Sequence, residues 1–302
     1  TVDTSYTEGY KKKNSKKSKG GRSHFFSNFN MSLIDEDEKY SNLEINLQKV
    51  SNDTFFKAYD IETSLVEANQ QILENMIDLS YQDKDFYLGL APSIFEDTKK
   101  NGHSKYEYLL PLTIEKKLMT SEKYGFLDLG TDLRIRNFDT NKQSNILVNN
   151  FNWGSKKWLN KLGINSSFEG LVKTVNYEAK NTKDYKNNRD ISEVNSVIGY
   201  FADLGLYKND FINKNLYTLT PKFLLRYAPG HMRDLDNTTK LNYGNLFNLN
   251  KIEQFDAIET GLSSSIGFEY KKNRLKEENI IGDEIYSFSA GQVISEKENK
   301  DI

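Results

Sequence analysis

The amino-acid sequence predicts an all-β protein, an antiparallel transmembrane β-barrel. Apolar and polar residues alternate over long segments, and a tilted strand needs roughly 9–11 residues to cross a bilayer, whereas strands of globular proteins average about 5–6. Tyr and Phe cluster at segment ends, as in FYLGL, KYEY and LRY, where a membrane barrel carries its aromatic girdles. Polar stretches rich in Asn, Lys, Asp and Gly separate the segments and are typical of loops.

The segment 127–136 shows the alternation most clearly. Successive side chains of a strand point to opposite faces, so this segment has one apolar and one charged face. The apolar face carries Leu127, Leu129, Thr131, Leu133 and Ile135, and the other carries Asp128, Gly130, Asp132, Arg134 and Arg136.

The same pattern predicts further strands along the chain, roughly a dozen in all, in one barrel domain that spans residues 1–302. Their apolar members, in chain order, are Leu43, Ile45 and Leu47; Phe86, Leu88 and Leu90; Tyr106, Tyr108, Leu110, Leu112 and Ile114; Val194, Ile198 and Tyr200; Tyr217, Leu219, Pro221, Phe223, Leu225 and Tyr227; Ile258, Thr260, Leu262, Ser264, Ile266, Phe268 and Tyr270; and Ile285 and Val293.

The segment 61–79 is ambiguous. Ile61, Leu65, Ala68 and Ile72 recur at helical spacing, but its second half also fits a strand with Leu73 on one face. We predict a loop followed by a strand. The prolines at 92, 111, 221 and 229 lie in or beside strand segments, where a missing N–H predicts a local edge or bulge.

Composition excludes several classes of protein. The mean hydropathy of -0.70 and the lack of a long apolar run exclude a transmembrane helix. The 13% of aromatic residues and the net charge of -2 argue against disorder. Because 41 basic residues are balanced by 43 acidic ones, nothing favours nucleic acid as a partner. The chain has no cysteine, hence no disulfide and no thiolate site.

The motifs of enzymes are not evident. His24, His103 and His231 have no partner at metal-ligand spacing, and neither a Ser–His–Asp arrangement nor a phosphate loop can be argued from the sequence. The acidic run 35–38 lacks the ligand spacing of a calcium loop. The basic run 11–22 is typical of a solvated loop, with a nucleic-acid or anionic-lipid patch as the alternative. We therefore predict no enzyme, no metal and no cofactor.

Four cations on the polar strand faces are candidate binding residues. Arg134, Arg136, Lys222 and Arg226 could contact the phosphates of an anionic ligand. The alternative is that they hydrate a barrel interior or pair with Asp128, Asp132 and Glu269, because mixed charge is normal inside barrels.

The block 216–293 resembles the barrel of the LptD family of lipopolysaccharide (LPS) assembly proteins. In that family an L-x-P strand ending in Y-x-P leads into a long loop with an N-L-F element, and a later strand ends in S-x-G-Q. The matching positions are Leu219, Pro221, Tyr227, Pro229, Asn245, Leu246, Phe247, Ser289, Gly291 and Gln292. The segments 47–61 and 95–112 are also similar to the family.

The resemblance implies a translocon in the outer membrane of a Gram-negative bacterium that inserts LPS into the outer leaflet. It implies an LptE-like lipoprotein plug, an LptA-like periplasmic bridge and outer-membrane lipids as partners, with Arg134, Arg136, Lys222 and Arg226 as lumen contacts to LPS. Because both ends of the sequence look internal, we expect a piece of a longer protein that lacks the family's N-terminal jellyroll and C-terminal strands. The alternatives are a porin, a TonB-type receptor, or a soluble β-rich binding module.

Overall fold

The computed structural model describes residues 1–8, 21–53, 55–58, 63–67, 70–183, 185–230, 240–252, 254–275 and 281–296. Within these ranges the chain forms sixteen β-strands, one short helix α1 (Phe55–Ala58) and one 3-10 turn (Gly102–Lys105). The strands are β1 (Val2–Thr7), β2 (Arg22–Glu36), β3 (Lys39–Val50), β4 (Ile72–Gln82), β5 (Phe86–Leu90), β6 (Ser93–Asp97), β7 (Tyr106–Ser121), β8 (Gly125–Phe138), β9 (Lys142–Gly154), β10 (Trp158–Leu159), β11 (Ile164–Lys180), β12 (Asp190–Leu204), β13 (Leu206–Asp210), β14 (Asn215–Ala228), β15 (Gly261–Leu275) and β16 (Ile281–Ser295).

The strands form one antiparallel sheet in which neighbours follow each other along the chain. The order is β1-β2-β3-β4-β5-β7-β8-β9-β11-β12-β14-β15-β16, and β6, β10 and β13 lie beside this path. Next-neighbour connection is the meander that short hairpin turns produce, and it is the order of an up-and-down barrel. The prediction of an all-β antiparallel fold is confirmed, and the sixteen described strands are consistent with part of a barrel.

Two of the strand breaks explain why the count exceeds a dozen. The pairing Leu90↔Leu112 in β5 and Ser93↔Leu109 in β6 keeps one register, so β5 and β6 continue each other across Pro92. Pro92 has no N–H to give to the ladder, which is the local weakness that its position predicts. In the same way β13 continues β12 past Gly205, with Asp203↔Lys222 followed by Leu206↔Leu219.

The long strands have the length that a membrane crossing needs. Strand β4 has 11 residues and β11 has 17, and nine more described strands fall between these lengths. No helix in the described part of the chain is long and apolar enough to span a membrane. The strands exceed the roughly 9–11 residues required of a membrane strand.

The described chain comprises two compact units. Unit 1 contains Thr1–Lys116, Gly130–Leu147 and Asn176–Ser192, and unit 2 contains Lys117–Leu129, Val148–Val175 and Glu193–Ile302. The boundaries fall inside strands rather than in a linker. A single domain over the whole chain stays a prediction.

In unit 1 the connection after β3 folds back onto the sheet. Phe55, in α1, and Val66 pack with Phe26, Val50 and Leu73, all of which are less than 10% exposed. The strand predicted in the second half of 61–79 is confirmed as β4, which begins at Ile72, and the described residues 63–67 before it form no strand. Residues 61, 62, 68 and 69 lie outside the described residues.

One predicted strand start is wrong. The alternation Ile258, Thr260, Leu262 predicts a strand from 258, but β15 begins at Gly261, whose φ of 102° interrupts the extended chain. Ile258 is 2% exposed because it packs against Val197 and Ala228 instead of lying on the strand's apolar face. A loop residue that is buried against the sheet is therefore as hydrophobic as a residue on the apolar face of a strand, and the sequence pattern does not distinguish the two.

Candidate functional site

The strands β14 and β15 of unit 2 have one open face and one covered face. On the open face Leu225, Tyr227, Leu262 and Ile266 are 41–51% exposed. The covered face lies under the connection between β14 and β15, of which residues 229–230, 240–252 and 254–260 are described. We call residues 240–260 of this connection the loop cover. As the alternation predicts, successive residues of β14 and β15 lie on opposite faces, with apolar side chains on the open face and mainly polar side chains on the covered face.

The Asn–Leu–Phe element attaches the loop cover to two glycines. Gly267 of β15 and Gly291 of β16 are directly paired across the sheet, and both lack a side chain on the covered face. A Cβ on Gly291 would lie 2.2 Å from Leu246 Cδ2, and one on Gly267 would lie 3.0 Å from Phe247 Cζ. The glycine pair therefore forms the recess that receives Leu246 and Phe247.

Asn245 and its neighbours hold this element in shape. The Asn242 side-chain oxygen accepts hydrogen bonds from the backbone N–H groups of Gly244 (2.8 Å) and Asn245 (3.2 Å). The Asn242 N–H donates to Asn245 Oδ1 at 2.9 Å, and Asn245 Nδ2 donates to the Lys240 carbonyl at 3.1 Å. Asn245 is 6% exposed. Such reciprocal side-chain to backbone bonds satisfy a buried turn that no sheet ladder serves.

A buried ion triad fixes the other end of the loop cover. Glu259 Oε2 lies 3.1 Å from Arg226 Nη1 and 3.4 Å from Lys251 Nζ, and the exposed fractions of these residues are 3%, 1% and 1%. Arg226 Nε also donates to the Leu249 carbonyl at 2.7 Å, and Lys251 Nζ to Ser263 Oγ at 3.3 Å. Burial is the largest influence on Lys251 and lowers the pKa of its ammonium below the ordinary value.

Lys222 of β14 contacts both Glu269 and two aromatic rings of the loop cover. Its Nζ is 3.3 Å from Glu269 Oε2 and lies over the Tyr243 and Phe247 rings at 5.4 and 6.0 Å. Further along the cover, Lys173 Nζ donates to the Phe255 carbonyl. Three cations of the sheet, Lys173, Lys222 and Arg226, thus contact the backbone or the rings of the loop cover.

The four predicted cations occupy different environments. Arg226 lies under the loop cover, where it is fully paired inside the protein. Arg136 Nε is 2.6 Å from Glu107 Oε1 and its guanidinium lies 4.1 Å above the Phe138 ring, in unit 1. Arg134 is exposed two residues earlier on the same face of β8. The pairing of Lys222 with Glu269 agrees with the alternative stated above, and contact of the four with LPS stays a prediction.

The ten motif positions divide between the two faces. Leu246 and Phe247 lie in the recess that Gly267 and Gly291 form, and Asn245 holds the preceding turn in shape. Leu219, Pro221 and Tyr227 have the opposite parity in β14 and lie on the open face, where Pro221 pairs with Phe268. Pro229 directly follows β14, and Ser289 and Gln292 pair with Glu269 and Ile266 in the β15–β16 ladder.

Sequence reasoning missed Lys251, Glu259 and Gly267. The alternation that begins at Ile258 places Glu259 on the polar face of a strand, because alternation does not distinguish an extended segment from a loop that ends at a strand. Gly261, which begins the strand two residues after Glu259, is the signal that could have found the break. His231 lies outside the described residues.

A Ser–His–Asp contact not evident in the sequence ties β1 to β2 in unit 1. His24 Nε2 is 3.1 Å from Asp3 Oδ1 and Nδ1 is 2.9 Å from Ser5 Oγ, while the ring stacks on Phe26 at 4.6 Å. Both ring nitrogens of an almost buried imidazole are thereby satisfied. Across the described ranges, no group of three or more His, Asp or Glu side chains could hold a metal ion.

The glycine recess yields a testable coupling. The Gly291→Ala variant should be destabilised by about 1–3 kcal/mol, because its Cβ overlaps the buried Leu246 side chain. Shortening that side chain removes the overlap, so Gly291→Ala combined with Leu246→Ala should cost less than the sum of the two single changes. Urea unfolding of all four proteins in detergent micelles measures the coupling, and additive costs would contradict the contact.

Comparison with known families gives one match. The family model LptD, LPS transport system D, matches residues 22–302. A search of the curated proteins found no match. The matched range includes the whole loop cover, the glycine recess and every strand except β1.

Proposed function

The chain belongs to the LptD family of LPS transport proteins, and we propose that it is the barrel of an outer-membrane translocon that inserts LPS into the outer leaflet. Proteins of this family transport LPS to the outer membrane and are not known as enzymes. The family match over residues 22–302 carries the proposal, and the long two-faced strands support it.

In this proposal the open face meets lipid and the covered face lines the lumen. Exposed Leu, Ile, Phe and Tyr side chains suit contact with acyl chains, and the polar face suits the sugars of LPS. The loop cover fills the part of the lumen next to β14, β15 and β16. An LptE-like lipoprotein and an LptA-like bridge are the proposed partners, with the outer membrane as the location, and nucleic acid is not expected.

A depletion experiment separates this function from that of a porin or receptor. Loss of the full-length protein should leave newly made LPS in the inner-membrane fraction, whereas loss of a porin would reduce solute uptake and leave LPS placement unchanged. Restoration by the unaltered gene is the control. Normal delivery of LPS to the outer membrane after depletion would refute the proposal.

Site-specific photocrosslinking tests the lumen. A photoreactive residue at position 113, on the same face of the sheet as Asp132, should crosslink to LPS sugars, and one at 112, on the opposite face, should crosslink to membrane lipid. The charge reversal Arg134→Glu should reduce LPS crosslinking at position 113 if this exposed cation contacts LPS. Equal LPS crosslinking at 112 and 113 would contradict the assignment of faces.

A further inference from the structure

Three chain segments in unit 2, two of which include the short strands β10 and β13, lie together at one end of the long strands. They are 122–124, 155–163 and 206–214, which we call the lysine collar. The Trp153 side-chain N–H donates to the Tyr124 carbonyl at 3.1 Å, linking the first to the second. A Cβ on Gly163 would lie 3.6 Å from Leu204 Cδ1, and Asn165 Nδ2 is 3.2 Å from Asp203 Oδ1, linking the second to the third.

The collar is basic and its charges are exposed. It contains six lysines and two acidic residues, Glu122 and Asp210, and every one of the lysines is exposed. The lysines are Lys123, Lys156, Lys157, Lys161, Lys208 and Lys214. Not every turn of this chain is basic: the segments 35–39 and 83–85 of unit 1 together contain two lysines and six acidic residues.

Large apolar side chains accompany the lysines. Leu159, Leu162, Tyr207, Phe211 and Ile212 are 64–94% exposed, which is unusual for turns in water. Aromatic and aliphatic side chains next to lysines are instead the composition of a membrane interface, where the apolar part enters the acyl region and the ammonium reaches the headgroups.

An aromatic cluster places the collar at the edge of the lipid-facing side. The rings of Trp158, Phe168 and Tyr200 lie 5.4–6.3 Å apart. Phe168 has the opposite parity in β11 to Lys173, whose ammonium contacts the loop cover, so the cluster is on the open face. The lysines therefore border an aromatic girdle.

Chain connectivity assigns the membrane side. Strand β14 runs from the collar at 214 to the long connection 229–260, so the two lie at opposite ends of this strand. In outer-membrane barrels short turns face the periplasm and long loops the exterior. The collar then meets the periplasmic leaflet, which consists of phospholipids.

We propose that the lysine collar binds the phosphate headgroups of anionic phospholipids, such as phosphatidylglycerol, in the periplasmic leaflet. The carrying observation is charge complementarity on an exposed apolar rim: ammonium groups attract anionic headgroups near a membrane surface, and the apolar side chains hold them at that depth. The site rests on the outer-membrane placement proposed above but not on LPS transport.

Lipid retention in nanodiscs tests the collar. Full-length protein in equimolar phosphatidylethanolamine and phosphatidylglycerol should retain phosphatidylglycerol selectively when released into native mass spectrometry. A single variant that combines Lys123→Gln, Lys156→Gln, Lys157→Gln and Lys161→Gln should lower this enrichment about fivefold or more. The reason is that each lysine near an anionic surface contributes to the free energy of headgroup binding. The control Lys39→Gln with Lys84→Gln, in the acidic segments, should leave it unchanged.

Two further measurements use the unsubstituted protein, so they test the proposal even if the variant does not fold. Enrichment by the unsubstituted protein should fall when salt rises to about 1 M, where the Debye length is only about 3 Å. In nanodiscs of equimolar phosphatidylglycerol and LPS, displacement of phosphatidylglycerol from the collar by LPS would overturn the assignment, as would salt-independent retention. A protein that delivers LPS but does not retain phosphatidylglycerol selectively would contradict the collar and leave the proposed function standing. A protein that retains phosphatidylglycerol but does not deliver LPS would contradict the proposed function and leave the collar standing.

Discussion

Glu259→Gln is expected to detach the loop cover from the sheet at a cost of about 3–5 kcal/mol. The substitution removes the negative charge between Arg226 and Lys251, and both cations are 1% exposed, so neither can recover its hydration without movement of the loop. Breaking a buried ion pair by removing one partner has this cost because an uncompensated charge remains inside the protein. Limited proteolysis within 240–260 and urea unfolding in micelles measure the effect.

Glu269, ten positions after Glu259 and in β15, provides a matched control. Glu269 also contacts two lysines, Lys222 and Lys271, but its side chain is 27% exposed. Glu269→Gln should therefore cost no more than about 1 kcal/mol. Replacing all of Arg226, Lys251 and Glu259 by Met should recover most of the stability, since no buried charge is left. Equal losses of unfolding free energy for Glu259→Gln and Glu269→Gln would show that burial does not determine how much the triad contributes to stability.

Leu112→Lys should destabilise the barrel by about 2–4 kcal/mol, because the proposed function places Leu112 on the lipid face near the middle of a membrane strand. Leu112 lies near the centre of β7, opposite Leu90. The neighbouring change Thr113→Lys should be almost neutral, because Thr113 Oγ1 donates to Asp132 Oδ1 at 3.0 Å and a lysine there meets a carboxylate. Heat-modifiable migration in detergent measures both.

The two substitutions introduce the same side chain at adjacent positions of β7. The size and charge of the new residue and its distance from the strand ends are therefore matched. Because consecutive side chains point to opposite faces, the difference between them reports the face alone. A cost for Thr113→Lys as large as that for Leu112→Lys would mean that β7 has lipid on neither face or on both.

Alternation predicted the strands well wherever one face is apolar and the other polar. Strand β14 carries Leu225 and Tyr227 on the exposed face and Arg226 on the other, as the period of two requires. Prediction was wrong at 258–260, where Ile258 is buried by Val197 and Ala228 in a loop. Hydrophobicity indicates burial, and it does not tell which partner provides it.

The candidate site was predictable only in part. The motif positions Leu246, Phe247 and Gly291 were identified from the resemblance, but their meeting in one recess was not, because Gly291 lies 44 positions after Phe247. Arg226 is a candidate lumen contact in the sequence, with pairing to an acidic residue as the alternative, and in the structure its guanidinium pairs with Glu259, 33 positions further along the chain. Pairing across such sequence distances depends on the path of the loop, which no local pattern encodes.

The sequence by itself determined the all-β class, the antiparallel strands with their two faces, and the family, because these follow from local periodicity and from residue identities at fixed spacing. Only the tertiary structure decided that residues 240–260 lie on the covered face, that Glu259 compensates Arg226 and Lys251, and that lysines of three separate chain segments form one collar. The physical reason is that buried charge and surface charge density depend on neighbours in space, and the sheet brings together residues that the chain holds far apart.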